Sequence, residues 1–147
     1  MKIGKIALSL SGIALLIIIF LITKNYCLDK GILALKEEKY GSAIKYLKPM
    51  AILGEEDAQN LIGECYALGF GVPKDVEKAI YWFRRGTKKS NCSGDECIAA
   101  DLYFVGEKYL NGVGVKKDRK EAIFWIKKAA ENRYPKAIDF LAENKIN

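Results

Sequence analysis

Ile62-Gly63-x-x-Tyr66-x-x-Gly69-x-Gly71-Val72-x-x-Asp75-x-x-x-Ala79-x-x-Trp82 recurs as Val105-Gly106-x-x-Tyr109-x-x-Gly112-x-Gly114-Val115-x-x-Asp118-x-x-x-Ala122-x-x-Trp125. The offset is 43 residues throughout, and only the first position changes, from Ile62 to Val105. Self-similarity of this kind marks a chain built from stacked supersecondary units, each of which buries its apolar face against its neighbours.

Every repeated residue has a mechanical reason to be there. Gly69 and Gly112 suit a left-handed helix cap, and Gly71 and Gly114 allow the turn that follows. Asp75 and Asp118 stand where they can cap the next helix, and Glu121, three residues after Asp118, completes a capping-box pattern. Gly63, Gly106, Ala79 and Ala122 are small where backbones must approach closely, whereas Tyr66, Trp82, Tyr109 and Trp125 fill the space between hairpins. The pattern is therefore read as a packing frame rather than a ligand box.

Working outward, the second hairpin is predicted to pair a helix over about 55–68 with one over about 75–87. The third pairs about 96–110 with 118–131. Before them, Leu28, Ile32 and Leu35 have helical spacing, and Ala43, Tyr46, Leu47 and Met50 share a face of the following helix. Pro49 lies inside that second helix and is expected to bend it. Pro135 starts a last helix in which Ala137, Leu141 and Ala142 echo Ala58, Ile62 and Gly63. It has no partner helix, so it reads as a cap on the stack.

Residues 6–22 are Ile, Leu, Ala and Phe diluted by Ser9, Ser11 and Gly12. As a helix they would cover about 25 Å, near the short end for a membrane span. Lys2 and Lys5 precede the run and Lys24 follows it, so the positive-inside bias keeps the N-terminus cytoplasmic and sends the remainder across. Thr23-Lys24-Asn25-Tyr26 offers no small-residue cleavage pair, which favours an uncleaved signal anchor over a cleaved signal or a buried cytosolic helix. The expected organisation is an anchor over 1–24, a degenerate first repeat over 25–57, and two repeats with a capping helix over 58–147.

The formal charge of +6 overstates how basic the folded part is, because setting aside Lys2, Lys5 and Lys24 leaves a net of +3. That is a mixed, solvated surface and not a nucleic-acid footprint. Histidine is absent, which removes the commonest general base and metal ligand, and there is neither a G-x-S-x-G nor a P-loop motif. Glu37-Glu38 and Glu55-Glu56 fall at helix ends, as solvated charge ordinarily does. No catalytic residue, cofactor, metal or small-molecule substrate is expected.

The doubled pattern resembles the Sel1-like repeat, a relative of the tetratricopeptide repeat, with two full copies across about 58–134. The hairpin over 25–57 lacks the Gly-x-Gly-Val turn, yet Ala43 and Tyr46 lie 36 residues before Ala79 and Trp82, the usual period of that family. The resemblance implies an all-α fold, a right-handed α-solenoid of stacked helical hairpins, that acts by binding other proteins.

The two full copies are 43 apart rather than 36, so seven residues are extra, and the spacing from Asp101 to Ala137 confines them to roughly 88–98. Insertions in solenoids emerge as loops on one edge. Cys92 and Cys97 bound this one, and in an oxidising compartment they are expected to bridge. The resemblance makes such stapling unsurprising. Cys65 matches Lys108 and is expected to be part-exposed. Cys27 lies about 9 Å along the neighbouring helix from it, beyond disulfide reach, so both are expected free, or Cys27 paired between chains. A four-cysteine zinc site fails on the same distances.

A solenoid presents a concave face built from the first helix of each pair. The residues there that the core does not claim are Asn60, Glu64, Leu68, Tyr103, Glu107 and Asn111. Phe70 and Val113 lie between the turn glycines, either displayed to a partner or packed on the adjacent repeat. Recognition is expected where the copies disagree, as at Asn60/Tyr103 and Cys65/Lys108, and in the seven extra residues. Small exported Sel1-like proteins resemble immunity proteins that occlude secreted antibacterial effectors, type VI lipases among them. That implies an inner-membrane, single-pass protein with its C-terminal domain in the periplasm. A scaffold for an envelope complex or signalling protein, or an adaptor on the endoplasmic reticulum, is the alternative.

Overall fold

The computed structural model describes residues 10–86 and 95–146, with side chains over 12–86 and 98–146. The described residues form seven helices: α1 (Leu10–Lys36), α2 (Tyr40–Ile52), α3 (Glu56–Leu68), α4 (Val76–Gly86), α5 (Asp95–Asn111), α6 (Arg119–Glu131) and α7 (Pro135–Glu143). Each helix packs on the next, and α3 also reaches α5, as hairpins stacked side by side require. The architecture is an α-solenoid. Cys92 and the side chain of Cys97 lie outside the described residues, and so does most of the seven-residue insertion.

The two full repeats are copies down to their backbone hydrogen bonds. Gly69 and Phe70 N–H both donate to the Cys65 carbonyl at 2.9 Å, and Asp75 N–H donates to the Tyr66 carbonyl at 2.9 Å. One repeat later Gly112 and Val113 donate to Lys108 at 2.8 and 3.0 Å, and Asp118 donates to Tyr109 at 3.0 Å. Gly69 and Gly112 hold φ of 79° and 73°, a left-handed conformation that side chains resist. Asp118 then caps α6 by accepting from Lys120 N–H at 2.9 Å and Glu121 N–H at 3.1 Å. Asp75 accepts from Lys78 N–H at 2.9 Å. Glu121 does not complete the capping box: its carboxylate bonds Lys74 of the preceding repeat instead.

The first hairpin keeps the packing of the repeat without its turn. A Cβ on Gly63 would meet the Phe83 ring at 2.7 Å, and one on Gly106 would meet Ile126 Cγ1 at 2.7 Å. Gly31 of α1 faces Leu47 in the same manner, at 2.5 Å. Its turn is closed by Glu38 at φ 57°, where the full repeats use glycine. Two apolar clusters result. One joins α1, α2 and the start of α3 under Trp82, and the other runs from the end of α3 to α7 around Phe83 and Trp125. Gln59, buried in the first cluster, donates to the Ala51 carbonyl at 2.8 Å and ties α3 to the end of α2.

The apolar N-terminal segment and the first solenoid helix form one unbroken helix. Gly12–Lys36 contains an 18-residue window of mean hydropathy 1.8 and is long and apolar enough to cross a membrane. From Ile13 to Ile22 its side chains are exposed, whereas Gly31 and Ala34 are buried against α2. No turn separates the exposed apolar run of α1 from the part that packs on α2.

Cys65 corrects an expectation. It is 1 % exposed rather than part-exposed, and burial pushes its thiol up to about 12. The matching Lys108 misled because a lysine stem covers apolar surface while only its ammonium needs a polar partner, here the carboxylate of Glu64 at 2.5 Å. Cys65 and Cys27 are both free.

Candidate functional site

Of the six residues expected on the concave face, Leu68 is buried, Asn60, Glu64, Tyr103 and Glu107 are partly exposed, and Asn111 is exposed. Leu68 is 8 % exposed and belongs to the core, because the last turn of α3 packs toward Tyr109 of α5. Glu64 is engaged by Lys108 of the next repeat, and Asn60 lies against α4, with its Oδ1 where a Cβ on Gly86 would fall. Tyr103 packs on Tyr134 with ring centroids 5.2 Å apart.

Phe70 resolves the choice left open for the turn residues in favour of packing. Its ring stacks on Tyr40 at 4.3 Å and 12°, and its Cζ lies 3.1 Å from where a Cβ on Gly114 would be. The turns of three successive hairpins thus stack through Tyr40, Phe70 and Gly114. Val113, the matching residue one repeat on, is exposed.

These stacked turns form an open groove of about 740 Å³. Leu68, Phe70, Tyr109 and Val115 give it an apolar floor, and Lys116, Lys117, Arg119 and Lys120 line one side. Lys74 closes the turns from outside by pairing with Glu121 while lying 5.2 Å from the Tyr109 ring. Burial raises the Tyr109 phenol, and the nearby Lys74 ammonium partly opposes that. Asp118, the one acid in the lining, is occupied in capping α6. Lys116, Lys117 and Lys120 form no ion pair among the described residues, and Arg119 reaches only Asn144 Oδ1, at 3.3 Å. Cations around an apolar floor are what an acidic partner surface with an apolar anchor would meet.

Of the partner-binding residues named from sequence, Leu68 and Phe70 line this groove, beside frame residues such as Tyr109 and Val115, and its four cations were missed. The signal was available. Residues 73–77 read Pro-Lys-Asp-Val-Glu, with net charge −1, and the matching 116–120 read Lys-Lys-Asp-Arg-Lys, with net charge +3. The copies disagree in charge more sharply here than at the pairs singled out above.

A second set of groups recurs at the 43-residue offset on the second helices. Arg85 lies 5.7 Å from the exposed Tyr81 ring on α4, and Lys128 lies 5.2 Å from the exposed Phe124 ring on α6.

The family model described as Sel1 repeat matches residues 56–91 and 99–134. These two stretches are Sel1 repeats. Among solved structures it is similar to a Sel1 repeat protein from Oxalobacter formigenes, at 32 % identity and a TM-score of 0.44, over 81 % of this chain and 44 % of that one. It is also similar to a protective antigen present in uropathogenic Escherichia coli strains that displays an SLR fold. There the identity is 24 % and the TM-score 0.45, over 79 % of this chain and 27 % of that one. The chain thus spans less than half the length of either structure. No curated protein sequence matches it. Sel1 repeats are protein–protein interaction modules, so the groove and the second-helix aromatics are read as surfaces for another protein.

Proposed function

We propose that this chain is a membrane-anchored immunity protein, whose solenoid binds and occludes a secreted antibacterial effector in the periplasm. The effector is of the type VI kind, with lipases among the candidates. The observation that carries the binding reading is the groove: an apolar floor beside four cations, set on turns that successive repeats hold rigid. It calls for a partner with an acidic surface and one or two apolar side chains at its centre, the usual anatomy of an interface hot spot. The charge bias around residues 2–24 supports export, and a small solenoid suits occlusion, which needs surface rather than chemistry.

The test is competition between sister cells together with recovery of the bound partner. A deletion strain should be killed by effector-bearing sisters, and pull-down of the full chain in detergent should recover the effector. The double variant Lys116→Glu/Lys117→Glu should weaken that complex about 10-fold or more, because like charge across an interface is costly. A deletion strain indifferent to its sisters, with only resident envelope proteins recovered, would sink the immunity reading.

The repeated pairs Tyr81/Arg85 and Phe124/Lys128 favour a second reading, a scaffold for an envelope complex or a signalling protein. A scaffold needs two faces, and these pairs lie on the second helices rather than in the groove. Simultaneous recovery of two resident partners, one lost on Lys116→Glu/Lys117→Glu and the other on Tyr81→Ala, would select it.

A further inference from the structure

Ile52 and Leu53 are each 61 % exposed at the turn that leads from α2 to α3. The turn is fixed against α1: Leu53, Gly54 and Glu55 share a small cavity with Phe20 and Lys24, and Lys24 pairs with Glu55 across it. That level on α1 is where its apolar run ends, at Ile22, and where side chains that pack on α2 begin to alternate with exposed ones. The two exposed apolar residues therefore stand beside the end of the run that would lie in lipid. Because α1 continues unbroken to Lys36, no linker lets the solenoid lift this turn away.

We propose that the α2–α3 turn is a second membrane contact, with Ile52 and Leu53 embedded in the headgroup–acyl boundary of the bilayer that α1 crosses. The inference rests on the reading of α1 as a membrane span and adds to it the placement of the folded domain. Apolar side chains at that depth exchange water for acyl chain, the same exchange that holds interfacial helices. The bilayer is the occupant favoured over a protein partner because the patch is continuous with the lipid-facing side of α1 through Phe20. A consequence follows for the groove. From Ile52, α2 runs back for 13 residues to Tyr40, about 18 Å at helical rise, and Tyr40 is the residue on which Phe70 stacks. The turn at one end of α2 faces lipid, and the groove at the other end faces the aqueous compartment.

Brominated lipids test this, since bromine on the acyl chain quenches tryptophan only within close range. The full chain is reconstituted into phosphatidylcholine vesicles with and without acyl-brominated lipid, as wild type, Leu53→Trp and Phe20→Trp. Trp82 and Trp125 are buried in the solenoid and provide a steady background. Both variants should lose most of their added emission in brominated vesicles. Loss at Phe20→Trp without loss at Leu53→Trp overturns the docking and leaves the span intact. Loss at neither site overturns the span and the docking with it. Emission at Leu53→Trp that is shifted to the blue but not quenched would place protein over the turn and also overturn the proposal. Ile52→Trp, at an equally exposed neighbour, repeats the reading should Leu53→Trp misfold.

Discussion

Replacing Gly106 with alanine tests whether the doubled glycine is there for packing. In a helix interior the change should be favourable by about 1 kcal/mol on propensity alone. Here the new methyl would lie 2.7 Å from Ile126 Cγ1 and 3.1 Å from the Ala122 carbonyl oxygen. Ile126 is fully buried and is met near the root of its side chain, so it has no free end to swing aside, and the carbonyl belongs to a helix backbone. Overpacking of that kind costs about 1–3 kcal/mol, and both contacts place this site at the upper end. Subtracting the propensity gain leaves a net loss of about 2 kcal/mol, which for a domain of this size lowers Tm by roughly 6–10 °C. Gly41, in the first turn of α2, is the control, because a Cβ there meets nothing within 4 Å. Gly41→Ala should leave Tm unchanged or raise it by a few degrees, up to about 1 kcal/mol. Circular-dichroism melts of the full chain in one detergent compare the two. A Gly106→Ala protein that melts with or above wild type would refute the close-approach account, and equal shifts at both sites would reduce both glycines to helix propensity.

Other outcomes follow from the same structure. Burial, with Glu64 adding to it, raises the Asp101 carboxyl to about 6 from an ordinary 3.8. The folded state then binds the proton more tightly than the unfolded one, so this group's contribution falls as pH rises from about 4 to 6. Asp101→Asn should accordingly gain on wild type across that window, by roughly 2 kcal/mol after allowing for the water that still reaches the site, in urea titrations at a series of pH values. A constant gap would show that Asp101 titrates normally. Cys65 should resist maleimide in the folded protein at pH 8, because its thiol is buried and held near 12. In a chain whose Cys92 and Cys97 are serine, the half-buried Cys27 should label well before Cys65, with denaturant removing the difference. Equal rates in the folded state would contradict the burial. Glu38→Gly should raise Tm by a few degrees, since Glu38 holds φ 57° where the full repeats use glycine, a strain of about 1 kcal/mol. A lower Tm would mean the side chain of Glu38 does more for the turn than its backbone costs.

The frame was legible because its residues are constrained by backbone geometry and close packing, which leave glycine, alanine and tryptophan few substitutes. Gly69, Gly112, Asp75 and Asp118 do what their spacing implied, and Gly31 opposite Leu47 shows the same device in a hairpin that lost its turn. The surface was less legible for a physical reason. Assigning α3 and α5 residues to an open face assumed that what the motif does not use is free. Hairpins pack on two sides, however, and Leu68, Glu64 and Asn60 are taken up between helices. Cys65 was misjudged by the same route, through a lysine that is itself mostly buried. Charge points to a different surface, the turn that changes from −1 to +3 between the copies.

That last point bears on how a repeat protein acquires a partner. The α3–α4 turn must accept Tyr40 on one side and present Phe70 on the other, so its sequence is held by stacking. The α5–α6 turn follows it in the stack, and Val113 there is exposed, with no ring stacked on it as Tyr40 is on Phe70. Between the copies Lys117 and Asp118 match Lys74 and Asp75, Asp118 serving as the cap of α6, whereas Lys116, Arg119 and Lys120 stand in place of Pro73, Val76 and Glu77. Under the proposed binding reading, a cluster of cations at that position, beside an apolar floor supplied by packing, makes a recognition surface from a turn. By the same reasoning Val113→Asp should leave Tm within about 1 °C of wild type, as exposed substitutions ordinarily do, yet weaken an acidic partner at the groove as Lys116→Glu/Lys117→Glu does. If Val113→Asp instead unfolds the chain, the turn is part of the core and the division of labour between the two turns fails.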